Sequence, residues 1–349
     1  MVTGVSVDDD GVASVGVLLT IAGCPLHETI TADVERALGA VDGVSGVRVD
    51  LGVMSAEQRT ALKEKLRGPG GAKDIPFNRP GSLTRVYAVA SGKGGVGKSS
   101  VTVNLAAAMA ASGLRVGIVD ADVHGFSIPG LLGITMPPTR VDEMILPPVA
   151  YGIKTISIGM FVAGNAPVAW RGPMLHRALE QFLTDVYFGD LDVLFLDLPP
   201  GTGDIAISVA QLLPQSEILV VTTPQAAAAD VAERAGSVAS QTGQSVAGVI
   251  ENMSWLQLPT GERMELFGSG GGKIVAKRLS EALGKDIGLL GSIPLDVDLR
   301  TGGDAGAPVV LSESASVEGS AGAELRRIAA ALARRPRGLS GLKLDVTPR

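Results

Sequence analysis

The feature that most constrains the fold is a glycine-rich segment at residues 92–99, with the sequence GKGGVGKS. It fills every fixed position of the pattern G-x-x-x-x-G-K-[ST]. The apolar run 86–90 before it predicts a buried strand, and the alanine-rich segment 99–112, followed by Gly113, predicts a helix. Because a phosphate-binding loop connects a strand to a helix in this way, we predict a P-loop rather than an accidental glycine-rich turn.

The chemistry expected of this loop follows from its residue types. Glycines allow successive backbone N–H groups to point at phosphate oxygens, and the N-terminus of the following helix adds a partial positive charge. Lys98 is expected to bind the β- and γ-phosphates and the Ser99 hydroxyl to bind Mg²⁺. The predicted nucleotide-binding residues of the loop are Gly92, Lys93, Gly94, Gly95, Val96, Gly97, Lys98, Ser99 and Ser100.

Composition narrows the class of protein. The 349 residues are 46% hydrophobic but only 3% aromatic, so the core is aliphatic, as buried parallel sheets prefer. A net charge of −6 argues against a nucleic-acid partner. The start of the chain lacks the charged and apolar regions of a signal peptide, and no apolar run approaches the ~18 residues of a membrane span. With a single cysteine as well, we expect a cytoplasmic chain without stable membrane association.

Periodicity predicts a small α+β domain at residues 1–67. Strands are expected at 12–21 and 44–51, and helices at 26–38 and 55–66, the second opened by a serine cap. The segment 68–82 is rich in glycine and proline and is predicted to be a linker.

The remainder alternates between strand and helix patterns. Strands are predicted at 86–90, 114–119, 151–159, 191–197, 217–222, 245–250 and 287–293. This alternation is typical of a doubly wound, mostly parallel α/β sheet, so we predict a P-loop NTPase domain at 83–334. The basic tail 335–349 is expected to be disordered.

Carboxylates follow two of these strands, at the edge where ligands bind parallel sheets. Asp197 ends an apolar strand and is expected to hold Mg²⁺, directly or through water. Asp122 would lie beside the γ-phosphate, where it could orient the attacking water and, with Ser99 and Asp197, complete the metal site. An aspartate after a strand is commonly a turn former or a helix cap, and for Asp120 and Asp204 that alternative stays open.

Lys93, inside KGGVGKS, resembles the signature lysine of the deviant Walker A ATPases, the group of MinD, ParA, the nitrogenase iron protein and the arsenite pump ATPase. The resemblance implies a homodimer in which this lysine reaches the nucleotide of the partner subunit. Lys93 would then join Lys98 and Asp122 as a catalytic residue. The alternative is a solvated loop lysine.

Several motifs narrow the resemblance to the Mrp/ApbC iron–sulfur cluster carrier ATPases. These are WRGPM at 170–174, DADVHGFSIP at 120–129 (with Phe126 where a proline is usual), LPPGTGD at 198–204, TTPQ at 222–225, ENMS at 251–254 and FGSGGG at 267–272. The resemblance covers about residues 12–332. It implies ATP and Mg²⁺, slow dimer-coupled ATP hydrolysis, cluster transfer to apo client proteins, and adenine contacts from Asn252 and Pro294.

The small domain is similar to the one fused to bacterial members of that family. AGCPLHE at 22–28 and the run 54–68 carry this likeness, while the family's first helix has no counterpart, so we expect this chain to start late.

One family feature is missing, the Cys-x-x-Cys pair that soon follows ENMS. Residues 255–261 here have the sequence WLQLPTG, and two chains would supply only two cysteines, both Cys24. The family's usual four-thiolate cluster therefore cannot form. Cys24 precedes a predicted helix, where a thiol's pKa is lowered, and His27 follows at a C-x-x-H spacing, so we predict a transient cluster ligand. The alternative for Cys24 is a small apolar residue that fills a strand–helix junction.

Three functions are compatible with these motifs. The first is an iron–sulfur carrier or assembly ATPase, and the second is a metal-free dimerising switch like MinD and ParA. The third, a metabolic P-loop enzyme, is disfavoured by Lys93. A MinD-like switch would carry a C-terminal amphipathic membrane helix; the segment 323–334 has an apolar face, and we expect it to dock on the domain's own core.

Overall fold

The computed structural model describes residues 2–19, 27–58, 61, 74–79, 81–123, 125–161, 172–201, 203–225, 228–258 and 260–335. The chain divides into two compact units. One comprises Met1–Lys73 with Pro138–Leu146, and the other comprises Asp74–Pro137 with Pro147–Arg349. The predicted small domain, in contrast, ended at residue 67 and left 138–146 in the ATPase domain.

The first unit contains a three-stranded sheet in the order β1-β2-β3. Its elements are β1 (Val2–Val7), β2 (Val12–Leu19), α1 (His27–Gly39) and β3 (Gly46–Val53), with the short strands β6 (Thr139–Val141) and β7 (Met144–Leu146) paired in the segment 138–146. The pair β1–β2 is antiparallel and β2–β3 is parallel. Alternate residues of β2 from Ala13 to Leu19 are buried, which is the period-two pattern that predicted this strand.

Two details of this unit bear on the sequence predictions. The strand β1 was not predicted, because all six of its residues are exposed and its sequence therefore carries no inward–outward alternation. The predicted serine cap is present: Gln58 N donates to Ser55 Oγ at 3.2 Å and Ser55 N to Gln58 Oε1 at 2.9 Å, a capping box. Residues 56–58 and 61 are helical, and the rest of the predicted helix 55–66 lies outside the described residues.

The second unit is built on an eight-stranded sheet in the order β15-β12-β11-β4-β10-β5-β9-β8. Its main strands are β4 (Arg85–Ala90), β5 (Val116–Asp120), β8 (Val149–Ala150), β9 (Ile153–Ser157), β10 (Val193–Asp197), β11 (Glu217–Thr222), β12 (Val246–Glu251) and β15 (Leu289–Ser292). Every neighbouring pair is parallel except β8–β9. The predicted doubly wound, mostly parallel sheet is confirmed.

Helices cover both faces of this sheet. They are α2 (Lys98–Ala111), α3 (Ile128–Leu131), α4 (Gly172–Asp185), α5 (Asp204–Leu212), α6 (Ala228–Thr242), α7 (Gly271–Leu283), α8 (Val297–Asp304) and α9 (Ala321–Arg334). Alternate residues of β11 enter different cores: Leu219 and Val221 belong to a cluster with α2 and α9, whereas Ile218 and Val220 belong to a cluster with α6 and α7. The strands are therefore buried on both sides, which explains the aliphatic composition.

The C-terminal helix α9 docks on the core. Leu325, Ile328 and Leu332 form its apolar face and have no exposed surface. The Arg85 guanidinium fastens its end by donating to the carbonyls of Leu332 at 2.9 Å and Ala333 at 2.8 Å. The amphipathic pattern of 323–334 thus reflects packing against this domain, and no helix in the described part of the chain has the length and apolar character to cross a membrane.

Part of the predicted linker is folded. Phe77, in a 3-10 turn at Pro76–Asn78, is buried and packs edge-on against Phe188, with ring centroids 5.8 Å apart. Residues 68–73 and 80 lie outside the described residues, as does the predicted tail apart from Arg335.

Candidate nucleotide site

The loop between β4 and α2 has the backbone geometry of a phosphate cradle. Gly95 and Gly97 adopt positive φ angles of 77° and 79°, a conformation that side chains disfavour. A Cβ at Gly97 would also lie 2.3 Å from Asn252 Nδ2. Gly97 is the N-cap of α2 and offers no side chain to satisfy the first-turn N–H groups, which are therefore suited to an anion.

Four predicted residues converge at the mouth of this loop. Asp197 at the end of β10 lies within 2.5 Å of Lys98 Nζ and accepts from Ser99 Oγ at 2.6 Å, both through Oδ2. Asp122 Oδ2 is 4.0 Å from Lys98 Nζ. Lys98, Asp122 and Asp197 are all buried, so they form a nearly dehydrated cluster of one cation and two carboxylates.

This cluster fits Mg²⁺. Hydroxyl and carboxylate oxygens are the ligands that Mg²⁺ prefers, and it is commonly bound through one or two carboxylates plus substrate phosphates. Ser99, Asp122 and Asp197 supply that donor set beside the cradle. A bound Mg²⁺ would offset the charge of two phosphate groups and of the two carboxylates.

Asp120, whose role the sequence left open, is a positioning group. Its carboxylate is fully buried, accepts from Ser157 Oγ at 3.0 Å and from Asp122 N at 3.2 Å, and thereby fixes the backbone of Asp122. Burial and the nearby Asp197 carboxylate raise the pKa of Asp120 to about 7. Asp204 is exposed in the first turn of α5, where an aspartate favours helix formation.

The residues predicted to contact adenine also lie together. Asn252 N donates to Thr222 O at 2.8 Å, and Asn252 Nδ2 donates to the P-loop carbonyl of Val96 at 2.9 Å. Ser254 N donates to Ile293 O at 2.9 Å, which brings the buried Pro294 beside this segment. Asn252 Oδ1 is buried without a hydrogen-bond partner among the described residues, so it can accept from an exocyclic amino group such as that of adenine.

The Lys93 side chain is half-buried and forms a hydrogen bond within its own chain. Its Nζ donates to Gln225 Oε1, in the segment that follows β11. Ser91 Oγ donates to Lys93 O at 3.0 Å, and Arg234 Nη1 donates to Gly92 O at 3.1 Å. Gln225 and Arg234 were not predicted as site residues; the only signal was that Gln225 ends the TTPQ motif after a strand adjacent to β4.

The stretch where the family carries its cysteine pair forms a short hairpin. Strands β13 (Leu256–Gln257) and β14 (Arg263–Met264) pair antiparallel, and the Arg263 guanidinium lies 4.3 Å from the Trp255 ring centroid. Within the described ranges there is no group of three or more His, Cys, Asp or Glu side chains placed to hold a metal ion. Cys24, Trp170 and Arg171 lie outside those ranges, and the side chain of His27 is not described.

Replacing Asp120 by asparagine should change how stability depends on pH. The pKa of Asp120 is raised from 3.8 to about 7 by folding, so between these values the folded state keeps a proton that the unfolded state has lost. The free energy of unfolding of the wild type therefore falls as the pH rises through this window. Without nucleotide or Mg²⁺, we expect Asp120→Asn to melt at least about 2 °C above the wild type at pH 8 and to lose most of that advantage at pH 5.

Thermal melts at both pH values test this expectation. Asp286→Asn, which alters an exposed carboxylate, is the control and should melt like the wild type throughout. An Asp120→Asn effect of equal size at pH 5 and pH 8 would contradict the assigned protonation.

Comparisons with known proteins identify the family. A family model described as NUBPL iron-transfer P-loop NTPase matches residues 82–333, and a model described as iron–sulfur cluster assembly protein matches residues 1–51. The chain is 61% identical over 348 residues to the iron–sulfur cluster carrier protein of Mycobacterium tuberculosis, covering 100% of this chain and 91% of that relative.

Solved structures agree with this match. A nucleotide-binding protein from Archaeoglobus fulgidus, in complex with ADP, is 36% identical with a TM-score of 0.58, covering 69% of this chain and 93% of its own. The cell division ATPase MinD of Pyrococcus furiosus is 20% identical with a TM-score of 0.51. The match covers 71% of this chain and 98% of that one, and it supports the fold alone. The resemblance drawn from the motifs is confirmed, and the chain belongs to the family of NUBPL-type iron-transfer P-loop NTPases.

Proposed function

We propose that this protein is a slow, dimer-coupled ATPase that carries iron–sulfur clusters to apo client proteins. The observation that carries the proposal is the convergence of Lys98, Ser99, Asp122 and Asp197 beside the glycine cradle. The cargo is proposed from the 61% identity to a relative named as a cluster carrier. Its single cysteine is typical of a cytoplasmic chain, which is the location we propose.

Hydrolysis would begin with an exchange of partners at Lys98. The Lys98 ammonium is paired with the Asp197 carboxylate, with its Nζ 2.5 Å from Oδ2. The β- and γ-phosphate oxygens of ATP would compete for Lys98, and Asp197 would then be available, with Ser99 and Asp122, to hold Mg²⁺. Asp122 is also the carboxylate we assign to orient the attacking water, because Asp120 fixes its backbone and Gly125 N donates to its Oδ1 at 3.0 Å.

Lys93 would couple hydrolysis to dimerisation. An isologous dimer places the same residue of each subunit at the partner's site, so a lysine at the loop's edge can serve the opposite nucleotide. In a single chain Lys93 is held by Gln225, so its transfer to the partner's nucleotide requires the loss of this hydrogen bond.

Cluster transfer must use fewer protein thiolates than the family's usual arrangement. Since residues 255–261 contain no cysteine, we assign Cys24 as a transient ligand during hand-off, with the client supplying the remaining thiolates. The same absence favours a second candidate, a metal-free dimerising switch that positions a client.

Substitutions at the loop should separate binding from turnover. Lys98→Ala removes the phosphate cation, so we expect nucleotide binding to fall below detection in fluorescence titrations. Asp122→Ala should bind ATP but release phosphate at least about tenfold more slowly, because positioned acid–base groups contribute rates of this order or more. Lys277→Ala, on the exposed face of α7, is the control. Wild-type phosphate release by Asp122→Ala would refute the assignment of the water-orienting carboxylate.

Mixing two inactive variants tests the trans role of Lys93. In a heterodimer of Lys93→Ala and Asp122→Ala, one of the two sites receives both intact residues if Lys93 acts on the partner's nucleotide. A 1:1 mixture with random exchange should therefore recover about a quarter of the wild-type ATPase rate. If subunit exchange is demonstrated and no activity returns, Lys93 acts within its own chain or not at all.

A third experiment separates the two candidate functions. Cys24→Ser should leave ATP hydrolysis unchanged but abolish transfer of a reconstituted cluster to an apo-acceptor, assayed anaerobically by recovery of acceptor absorbance and iron counting. Lys277→Ala, on the exposed face of α7, and wild type serve as thiol-retaining controls for transfer. Normal transfer by Cys24→Ser would refute the assignment of Cys24, whereas a wild type that transfers no cluster would favour the metal-free switch.

A further inference from the structure

Asp197 has three hydrogen-bond donors, divided unequally between its two oxygens. Lys98 Nζ and Ser99 Oγ both donate to Oδ2, at 2.5 Å and 2.6 Å. Thr102 Oγ1 lies 2.8 Å from Oδ1 and supplies the other side of the carboxylate. Asp197 is fully buried, where an ionised carboxylate is costly unless its oxygens are satisfied.

Thr102 differs from the other two donors in having no ligand of its own to bind. In the proposed function Lys98 would turn to phosphate, and Ser99 Oγ would direct a lone pair at Mg²⁺ while its O–H could still donate to Asp197. Thr102 lies one helical turn beyond Lys98 and is fully buried, out of reach of solvent. Of the three donors it is therefore the one that neither phosphate nor Mg²⁺ would contact.

The hydroxyl has two acceptors within reach and one proton to give. Thr102 Oγ1 is 3.0 Å from Lys98 O and 2.8 Å from Asp197 Oδ1. A bond to an ionised acceptor is the stronger one, and the carbonyl contact then packs the hydroxyl against the helix. The Thr102 hydroxyl therefore donates its hydrogen bond to Asp197 Oδ1. The contact with the helix backbone fixes the direction of this bond.

We propose that Thr102 is a positioning residue for Mg²⁺. By holding Oδ1 from the side of α2, it keeps the Asp197 carboxylate in the one orientation that turns Oδ2 toward Ser99 and the phosphate cradle. This inference rests on the proposed function of the site. It predicts that Thr102 contributes to the gain in nucleotide affinity that Mg²⁺ provides.

The test measures the dissociation constant of a fluorescent ATP analogue on the full chain, once in EDTA and once in excess Mg²⁺. The readout is the ratio of the value in EDTA to the value in Mg²⁺. Thr102→Val keeps the shape of the side chain and removes the donor, so we expect this ratio to fall about tenfold, the loss of one charge-assisted hydrogen bond. Binding in EDTA, which does not use the orientation of Asp197 toward a metal, should change much less. Thr102→Ser retains the hydroxyl and should restore the ratio.

A second buried threonine provides the matched control. Thr155 on β9 is also fully buried, but its Oγ1 has no hydrogen-bond partner in the described part of the chain. Thr155→Val makes the same chemical change without removing a donor from Asp197, so both dissociation constants should match the wild type.

The outcomes distinguish this inference from the proposed function. A folded Thr102→Val protein with the wild-type ratio would overturn the role of Thr102 alone, as would a Thr102→Ser protein that folds but fails to restore the ratio. If the valine variant does not fold, Thr102→Ala, which also removes the donor, takes its place, with Thr155→Ala as its control. A wild type whose nucleotide affinity does not respond to Mg²⁺ would overturn the proposed function together with this inference.

Discussion

The nucleotide site depends on how one buried carboxylate is neutralised. Asp197 ends the strand β10, and its compensating groups, Lys98, Ser99 and Thr102, all come from the first two turns of α2. Because an unpaired buried charge is costly, these contacts help to hold the helix against the sheet. Under the proposed function, phosphate and Mg²⁺ would each compete for a member of this ion-paired cluster.

The parts of this structure that the sequence predicted are those that local patterns encode. The loop 92–99, the strands around it and the aspartates at their ends are each defined by a few consecutive residues and their spacing. The contacts that these patterns did not predict join residues that are far apart in the sequence. Gln225 contacts Lys93 across 132 positions, and no periodicity in either segment indicates that contact. The exposed strand β1 was not predicted for a different reason, since a strand with no buried residue shows no alternation between inward and outward positions.

The C-terminal helix illustrates why pattern alone leaves function ambiguous. A helix with Leu325, Ile328 and Leu332 on one face is compatible with a membrane surface as well as with a protein core, although we expected the core. The structure decides between them through a long-range contact, because Arg85 at the start of β4 donates to the last carbonyls of this helix. A guanidinium at a helix C-terminus both satisfies free carbonyls and complements the helix dipole.

The two lysines of the loop, Lys93 and Lys98, form hydrogen bonds with residues at the ends of different strands. Lys98 is bound to Asp197 on β10, and Lys93 to Gln225 just beyond β11, and these strands flank β4 on opposite sides. Under the proposed function, phosphate would compete with Asp197 for Lys98, and a facing subunit would compete with Gln225 for Lys93. Under the proposed function the loop would therefore respond to two binding events, one on each side of the central strand, and both lysine contacts would be broken only when ATP and a partner subunit are bound together.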